Sequence, residues 1–124
     1  SRTNPPDLPS ISGWVWGIAG IEYEYTFVST DPDDDDICYF VDWGDNTFEE
    51  WSGPYSSGEE IVKSHIWEQG GKFTIRAKAR DIYGAESDWG YLDVTMPVNQ
   101  DTSADMSAVS TQNRSTKQLE VVNK

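Results

Sequence analysis

Five aspartates, Asp31, Asp33, Asp34, Asp35 and Asp36, stand within six positions of the stretch TDPDDDDICYFVDWGDNT at residues 30–47. Carboxylates at this density can hold a hard cation or exchange protons with a substrate. Asp31, Asp33 and Asp35 alternate, and D-x-D-x-D is the spacing by which a tight loop turns several oxygens toward one ion. An all-oxygen donor set suits calcium best. An EF-hand loop needs glycine at its sixth position and glutamate at its twelfth, where this chain has Asp36 and Asp42, so that arrangement is rejected. The expectation is a looser site in a β-loop, completed by Asp81 or by backbone carbonyls. The alternative is a solvated acidic turn that holds nothing.

Other catalytic groupings are lacking. His65 is the only histidine, and its neighbour Ser64 points the other way along an extended strand, so no Ser-His-Asp arrangement can be argued around it. Cys38 is alone, which rules out an internal disulfide and a Cys-based zinc site and leaves it as a small buried hydrophobe. With no glycine-rich phosphate loop, an enzyme would rest on carboxylates alone. No catalytic residue is assigned. Trp51 and Tyr55, in EEWSGPYSSG, are flat aromatics that could stack on sugar rings.

The elements that position these residues are strands. In IEYEYTF, Ile21, Tyr23, Tyr25 and Phe27 share one face and Glu22, Glu24 and Thr26 the other. ICYFVDW is apolar on both faces and predicts a central strand. KFTIRAKAR alternates Phe73, Ile75, Ala77 and Ala79 with Thr74, Arg76, Lys78 and Arg80, and SDWGYLDVTM places Leu92, Val94 and Met96 together. TFEEW and EIVKSHIW lie between, with turn-rich SGPYSSG separating them, and DLPSIS and GWVWGIAG read as short edges. DWGDNT reads as a hairpin turn, with Gly44 free to take a positive φ. Most of Trp14, Trp16, Trp43, Trp67 and Trp89 are expected in the core. The outward Arg76, Lys78 and Arg80 call for acidic neighbours, with Asp42 and the acidic loop as candidates. About seven or eight short strands with regular turns predict an all-β, immunoglobulin-like sandwich of antiparallel strands.

The 124 residues carry 22 acids and 9 bases, a net charge of −13. Such a balance repels phosphate backbones and anionic lipid heads, so nucleic acid is a poor partner and cations are better ones. No apolar run approaches the roughly 20 residues of a membrane helix, and residues 1–20 lack the pattern of a signal peptide, so no membrane insertion is expected and the chain reads as a mature fragment or an excised module. Residues 4–97 form the expected domain. Residues 98–124, polar and without an aromatic, read as a linker or flexible tail.

Four blocks in order, TDPDDDDICYFVDWGDNT, WSGPYSSGE, SHIWEQGGKFTIRAKARDIYGAESDW and VTMP, resemble the polycystic-kidney-disease (PKD) type repeat, especially its archaeal and bacterial surface-protein version. The family's W-D-F-G-D-G pattern falls on Val41, Asp42, Trp43, Gly44, Asp45 and Asn46. Its H-x-[YF] and G-x-Y fall on His65 to Trp67 and Gly71 to Phe73, and its D-x-x-G on Asp81 to Gly84. In the loop resembling D-P-D-G-D, Asp34 stands where glycine is usual. The resemblance implies a non-catalytic extracellular module of a secreted or cell-surface protein. Such a module serves as a spacer or adhesion unit against neighbouring modules of the same parent or other surface proteins. It also implies calcium held by Asp31, Asp33, Asp81 and Asn4. The alternative is a carbohydrate- or protein-binding accessory domain of a secreted hydrolase, taking polysaccharide on Trp51 and Tyr55.

Overall fold

The computed structural model describes residues 4–98, so the segment expected as a tail lies outside the described residues beyond its first position. Seven strands occur among the described residues: β1 Ser10–Gly13, β2 Glu22–Val28, β3 Ile37–Asp42, β4 Phe48–Tyr55, β5 Ile61–Ile66, β6 Gly71–Asp81 and β7 Gly90–Met96. They form a three-stranded sheet ordered β1-β2-β5 and a four-stranded sheet ordered β4-β3-β6-β7, with every strand pair antiparallel. Two sheets face to face bury one side of each strand, which is why alternation dominates the sequence. Tyr25 and Phe27 of one sheet meet Ile37, Tyr39, Val41, Ile75, Ala77, Ala79, Val94 and Met96 of the other. Trp43 and Trp67 close the core at one end, their rings crossing at 84°.

Expectation and structure part in several places. The strand around TFEEW runs on to Tyr55, through the turn-rich SGPY, with a cis Gly53–Pro54 bond and shifted register opposite β3. Cys38 is only half-buried, because it points to the outer face of β3. Ile21 is exposed, since β2 begins one residue later. Trp14 and Trp16 are exposed by about two-thirds, and GWVWGIAG forms a single parallel bridge, Trp16 to Thr95, in place of a strand. The cause is local. The backbone packs onto the sheet through its glycines: a Cβ on Gly13 would lie 2.4 Å from the Tyr25 ring, and one on Gly17 2.7 Å from the Tyr23 ring. With glycines facing inward, the tryptophans between them turn out.

The outer face of the four-stranded sheet shows how the β6 cations are accommodated. Arg76 pairs with Asp42 at 3.1 Å, as expected, and Lys78 pairs with Glu86 at 3.3 Å. Arg76 and Lys78 also lie over the Trp89 ring, and Arg80 over the Trp51 ring at 4.2 Å. Indoles, rather than the acidic loop, take up much of the charge on this face.

The chain enters and leaves at opposite poles. Asp7 N donates to Thr30 O, and the Asp7 carboxylate accepts from Thr30 Oγ1, fixing the incoming segment beside Asp31. Ile37 pairs with Asp81 at that same pole, whereas Met96 at the end of β7 pairs with Gly71 at the far end of β6. At about 3.3 Å per residue, the length of β6 separates the two poles by roughly 30 Å.

Candidate metal centre

The entrance pole gathers acids from two loops. Asp31 follows β2, and its N–H donates to Ser57 Oγ at 2.8 Å. Its Oδ2 accepts from the N–H groups of Asp33 (3.0 Å) and Asp35 (3.1 Å), while Asp34 N donates to Asp31 O. One carboxylate oxygen thereby winds the loop on itself. Closing so tight a turn puts Asp34 at a φ of 57°, a left-handed conformation that aspartate tolerates better than most residues and that glycine supplies elsewhere.

Asp81 ends β6 and repeats the device. Its Oδ1 accepts from Tyr83 N and Ala85 N, both at 2.9 Å, and its backbone N–H donates to Ala85 O. The D-x-x-G turn is thus held by the side chain of its own first residue. Because Asp81 stands opposite Ile37 in the β3–β6 register, it arrives next to the end of the acidic loop.

Asp31, Asp35 and Asp81 are 5 %, 6 % and 4 % exposed, and one carboxylate oxygen of each lies within 4.8 Å of the others. Asp31 Oδ1 and Asp81 Oδ2 are buried without a hydrogen-bond partner among the described residues. Each of these two aspartates uses one oxygen to fold its loop and leaves the other buried without such a bond. Two unit negative charges 4.8 Å apart repel by about 3.5 kcal/mol at an effective dielectric of about 20. Proteins rarely bury acceptors without partners, which marks this cluster as a candidate cation site. Calcium–oxygen bonds of about 2.3–2.6 Å let two oxygens on one ion sit up to about 5 Å apart, which the 4.8 Å spread fits; magnesium, at about 2.1 Å, calls for a tighter set.

Of the expected ligands, the structure brings together Asp31, Asp35 and Asp81. Asp33 is outside this triad, although its Oδ2 is also buried without a partner among the described residues. Asn4 is exposed, three residues before the Asp7 anchor. The supporting Ser57 and the Asp7–Thr30 clasp were invisible to spacing arguments, since both come from distant segments.

Trp51 and Tyr55 are not brought together. Trp51 lies on the outer face against Phe40 (5.7 Å) and beneath Arg80, whereas Tyr55 turns inward against Tyr39 (6.1 Å). Phe40 and Tyr39 are successive residues and point to opposite faces of the sheet. The two rings make no common stacking platform.

At the exit pole, Asp45 in the β3–β4 turn is fully engaged. His65 Nε2 lies 2.8 Å from its Oδ2, while the N–H and hydroxyl of Thr47 donate to its Oδ1. Burial works to raise the Asp45 pKa, but the Thr47 and His65 contacts outweigh it and leave the group below its ordinary value. His65 stacks on Trp43 at 4.6 Å and 2° and meets Trp67 edge-on. These contacts make it a structural histidine. Gly44 in the same turn has a φ of 86°, as the turn reading requires.

An antiparallel two-sheet sandwich with loop acids at one pole belongs among the immunoglobulin-like modules. A scan against protein-family models and a search of curated proteins return no match. Among solved structures, the PKD domain of an M14-like peptidase from a Thermoplasmatales archaeon is 52% identical, with a TM-score of 0.76, covering 77% of this chain and 98% of that chain. A CARDB domain from Pyrococcus furiosus (15% identity, TM-score 0.57, covering 77% of this chain and 99% of that one) shares the fold. So does the PKD domain of the human VPS10 domain-containing receptor SorCS2 (22%, 0.56, covering 77% and 76%). At 52% identity over nearly the whole of that archaeal domain, the chain belongs to the PKD-domain family.

Proposed function

We propose that this domain is a non-catalytic accessory module of a secreted or cell-surface protein, and that calcium at its entrance pole stiffens the junction with whatever precedes it. The observation that carries this reading is the buried triad Asp31, Asp35 and Asp81, in which Asp31 Oδ1 and Asp81 Oδ2 lack partners among the described residues. Asp33 and Asn4 are the further donors within reach of that pole: three residues of extended chain span about 10 Å, enough for Asn4 to approach from the Asp7 anchor. A calcium ion would supply only charge neutralisation and a fixed cross-link between the acidic loop, the β6 end and the incoming segment. The protein residues do the rest, holding the Asp31 and Asp81 carboxylates in place through backbone N–H groups before any ion arrives.

A second reading, an accessory domain serving a hydrolase, is favoured by the 52% identical PKD domain, which is that of an M14-like peptidase. The two are compatible: a stiffened module can set the angle of an attached catalytic domain. Among the described residues no helix is long and apolar enough to cross a membrane.

Thermal unfolding with calcium and with chelator tests the proposal. At a free calcium concentration of about 100 times Kd, binding adds about 2.7 kcal/mol. For a domain of this size that raises Tm by roughly 10 °C or more. The joint variant Asp31→Asn, Asp81→Asn keeps the loop hydrogen-bond acceptors and is expected to abolish the gain. Identical melting curves with calcium and chelator would overturn the metal reading.

A further inference from the structure

The outer face of the three-stranded sheet differs in character from that of the four-stranded one. Its side chains include Ser12 of β1, Glu22, Glu24 and Thr26 of β2, and Val62 of β5, with Thr26 directly opposite both Ser12 and Val62. Trp14 stands at the end of this surface, and together these residues line a shallow open groove of about 680 Å³. The indole is 67% exposed, yet its backbone is held: Tyr25 Oη donates to Trp14 O at 2.7 Å, and Thr95 N donates to Val15 O. The backbone is thereby fixed, and the indole stands open to solvent in the same groove as the Glu22 and Glu24 carboxylates.

No lysine or arginine lines the groove. Lys63, on the neighbouring strand β5, points away and pairs with Glu49 at 2.9 Å. On the opposite sheet, by contrast, Trp51 and Trp89 are both covered by cations of β6. Among the described residues Trp14 has no such partner. The groove thus offers two carboxylates and a bare indole face, the two groups to which guanidinium and ammonium ions bind, within a chain whose net charge of −13 draws cations and repels anions.

We propose that this groove holds an extended, lysine- or arginine-bearing polypeptide segment of a partner protein, with one cationic side chain over Trp14 and others paired with Glu22 and Glu24. Val62 and Val15 pack against the methylene stems of the cationic side chains, the alternate side chains of the segment point to solvent, and Ser12 and Thr26 bond to the segment's backbone. Sheet-like spacing on the partner matches the two-residue repeat of Glu22, Glu24 and Thr26. The interaction does not use the entrance-pole carboxylates and stands apart from the calcium proposal.

Fluorescence anisotropy with a labelled ten-residue peptide of alternating lysine and valine, at about 0.15 M salt, tests this. The control probes are the same peptide with glutamate for lysine and a labelled neutral β-linked hexasaccharide. The lysine peptide alone is expected to bind, and both Trp14→Ala and the joint Glu22→Gln, Glu24→Gln variant should weaken it about tenfold or more. The joint Glu50→Gln, Glu60→Gln variant removes the same charge outside the groove and should leave binding within about twofold. Since all these side chains are exposed, melting curves should coincide and keep the comparison clean. Equal weakening by the two glutamine pairs would reduce the effect to net charge and overturn the proposal. Binding of the hexasaccharide in place of the peptide, or of neither, would overturn it as well.

Discussion

Aspartate turns sit at both poles of the sandwich, one at the exit and two at the entrance, and satisfy their carboxylates in opposite ways. At the exit pole, Asp45 is bonded to Thr47 and His65. At the entrance pole, Asp31 and Asp81 each satisfy one oxygen with two backbone N–H groups and leave the other buried without a partner among the described residues, in a cluster with Asp35. A turn that carries its own counter-groups has a structural purpose completed within the chain. A turn that assembles like charges and leaves acceptors bare has the donor set of a cation site, which is the reading proposed for it above. The contrast separates a scaffold acid from a candidate ligand, which the amino-acid type by itself cannot do.

The contrast can be broken or sharpened by substitution. The largest effect is expected at the exit pole, where Trp43 is buried against Tyr25, Phe27, His65 and Trp67. Trp43→Ala should cost about 3–5 kcal/mol in urea unfolding, independent of calcium. Next comes the entrance pole. Asp81→Asn should remove most of the calcium-dependent rise in Tm and, measured in chelator, should leave stability unchanged or raised, because it relieves repulsion while keeping an acceptor for Tyr83 and Ala85. A marked loss of stability in chelator would show Asp81 to be a scaffold acid like Asp45. Asp45→Asn should cost about 1–2 kcal/mol whether calcium is present or not, by weakening charge-assisted bonds.

The smallest effect is a pH dependence. Because the folded Asp45 pKa lies below its ordinary value of 3.8, the ionised form favours the folded state. Its contribution is complete above about pH 3.8 and lost as the pH falls through the lower folded value. The fall in stability between about pH 4 and pH 2 should therefore be shallower in Asp45→Asn than in the parent, read by urea unfolding at each pH.

Much of this architecture was legible because it follows from period-two burial. The β6 run Ile75, Ala77, Ala79 faces inward and Arg76, Lys78, Arg80 outward as the alternation requires, and Asp42 proved to be the partner of Arg76. The acidic loop could be named from its spacing and Asp81 from the resemblance to the PKD repeat, and the register of Asp81 against Ile37 is what joins them. Alternation could not show which of the loop acids come within 4.8 Å of Asp81, since a wound loop has no fixed period. Nor could it place Trp14 and Trp16, because an apolar segment shows which side chains are greasy but not whether glycines between them take the inward positions. Trp51 and Tyr55 illustrate the same limit: the shifted register along β4 sends two nearby aromatics to opposite faces.

The bridge from Trp16 to Thr95 has a mechanical consequence. Thr95 N donates to Val15 O and Gly17 N donates to Thr95 O, tying the early part of the chain to the last strand in parallel. With Asp7 anchored at one pole and Met96 at the other, tension along that line loads those bonds and the β1–β2 ladder along the strand direction. They must then slide and fail together, as a lap joint does, and not open one at a time like a zip. A module stitched in this way resists stretching far better than its modest number of crossing bonds suggests.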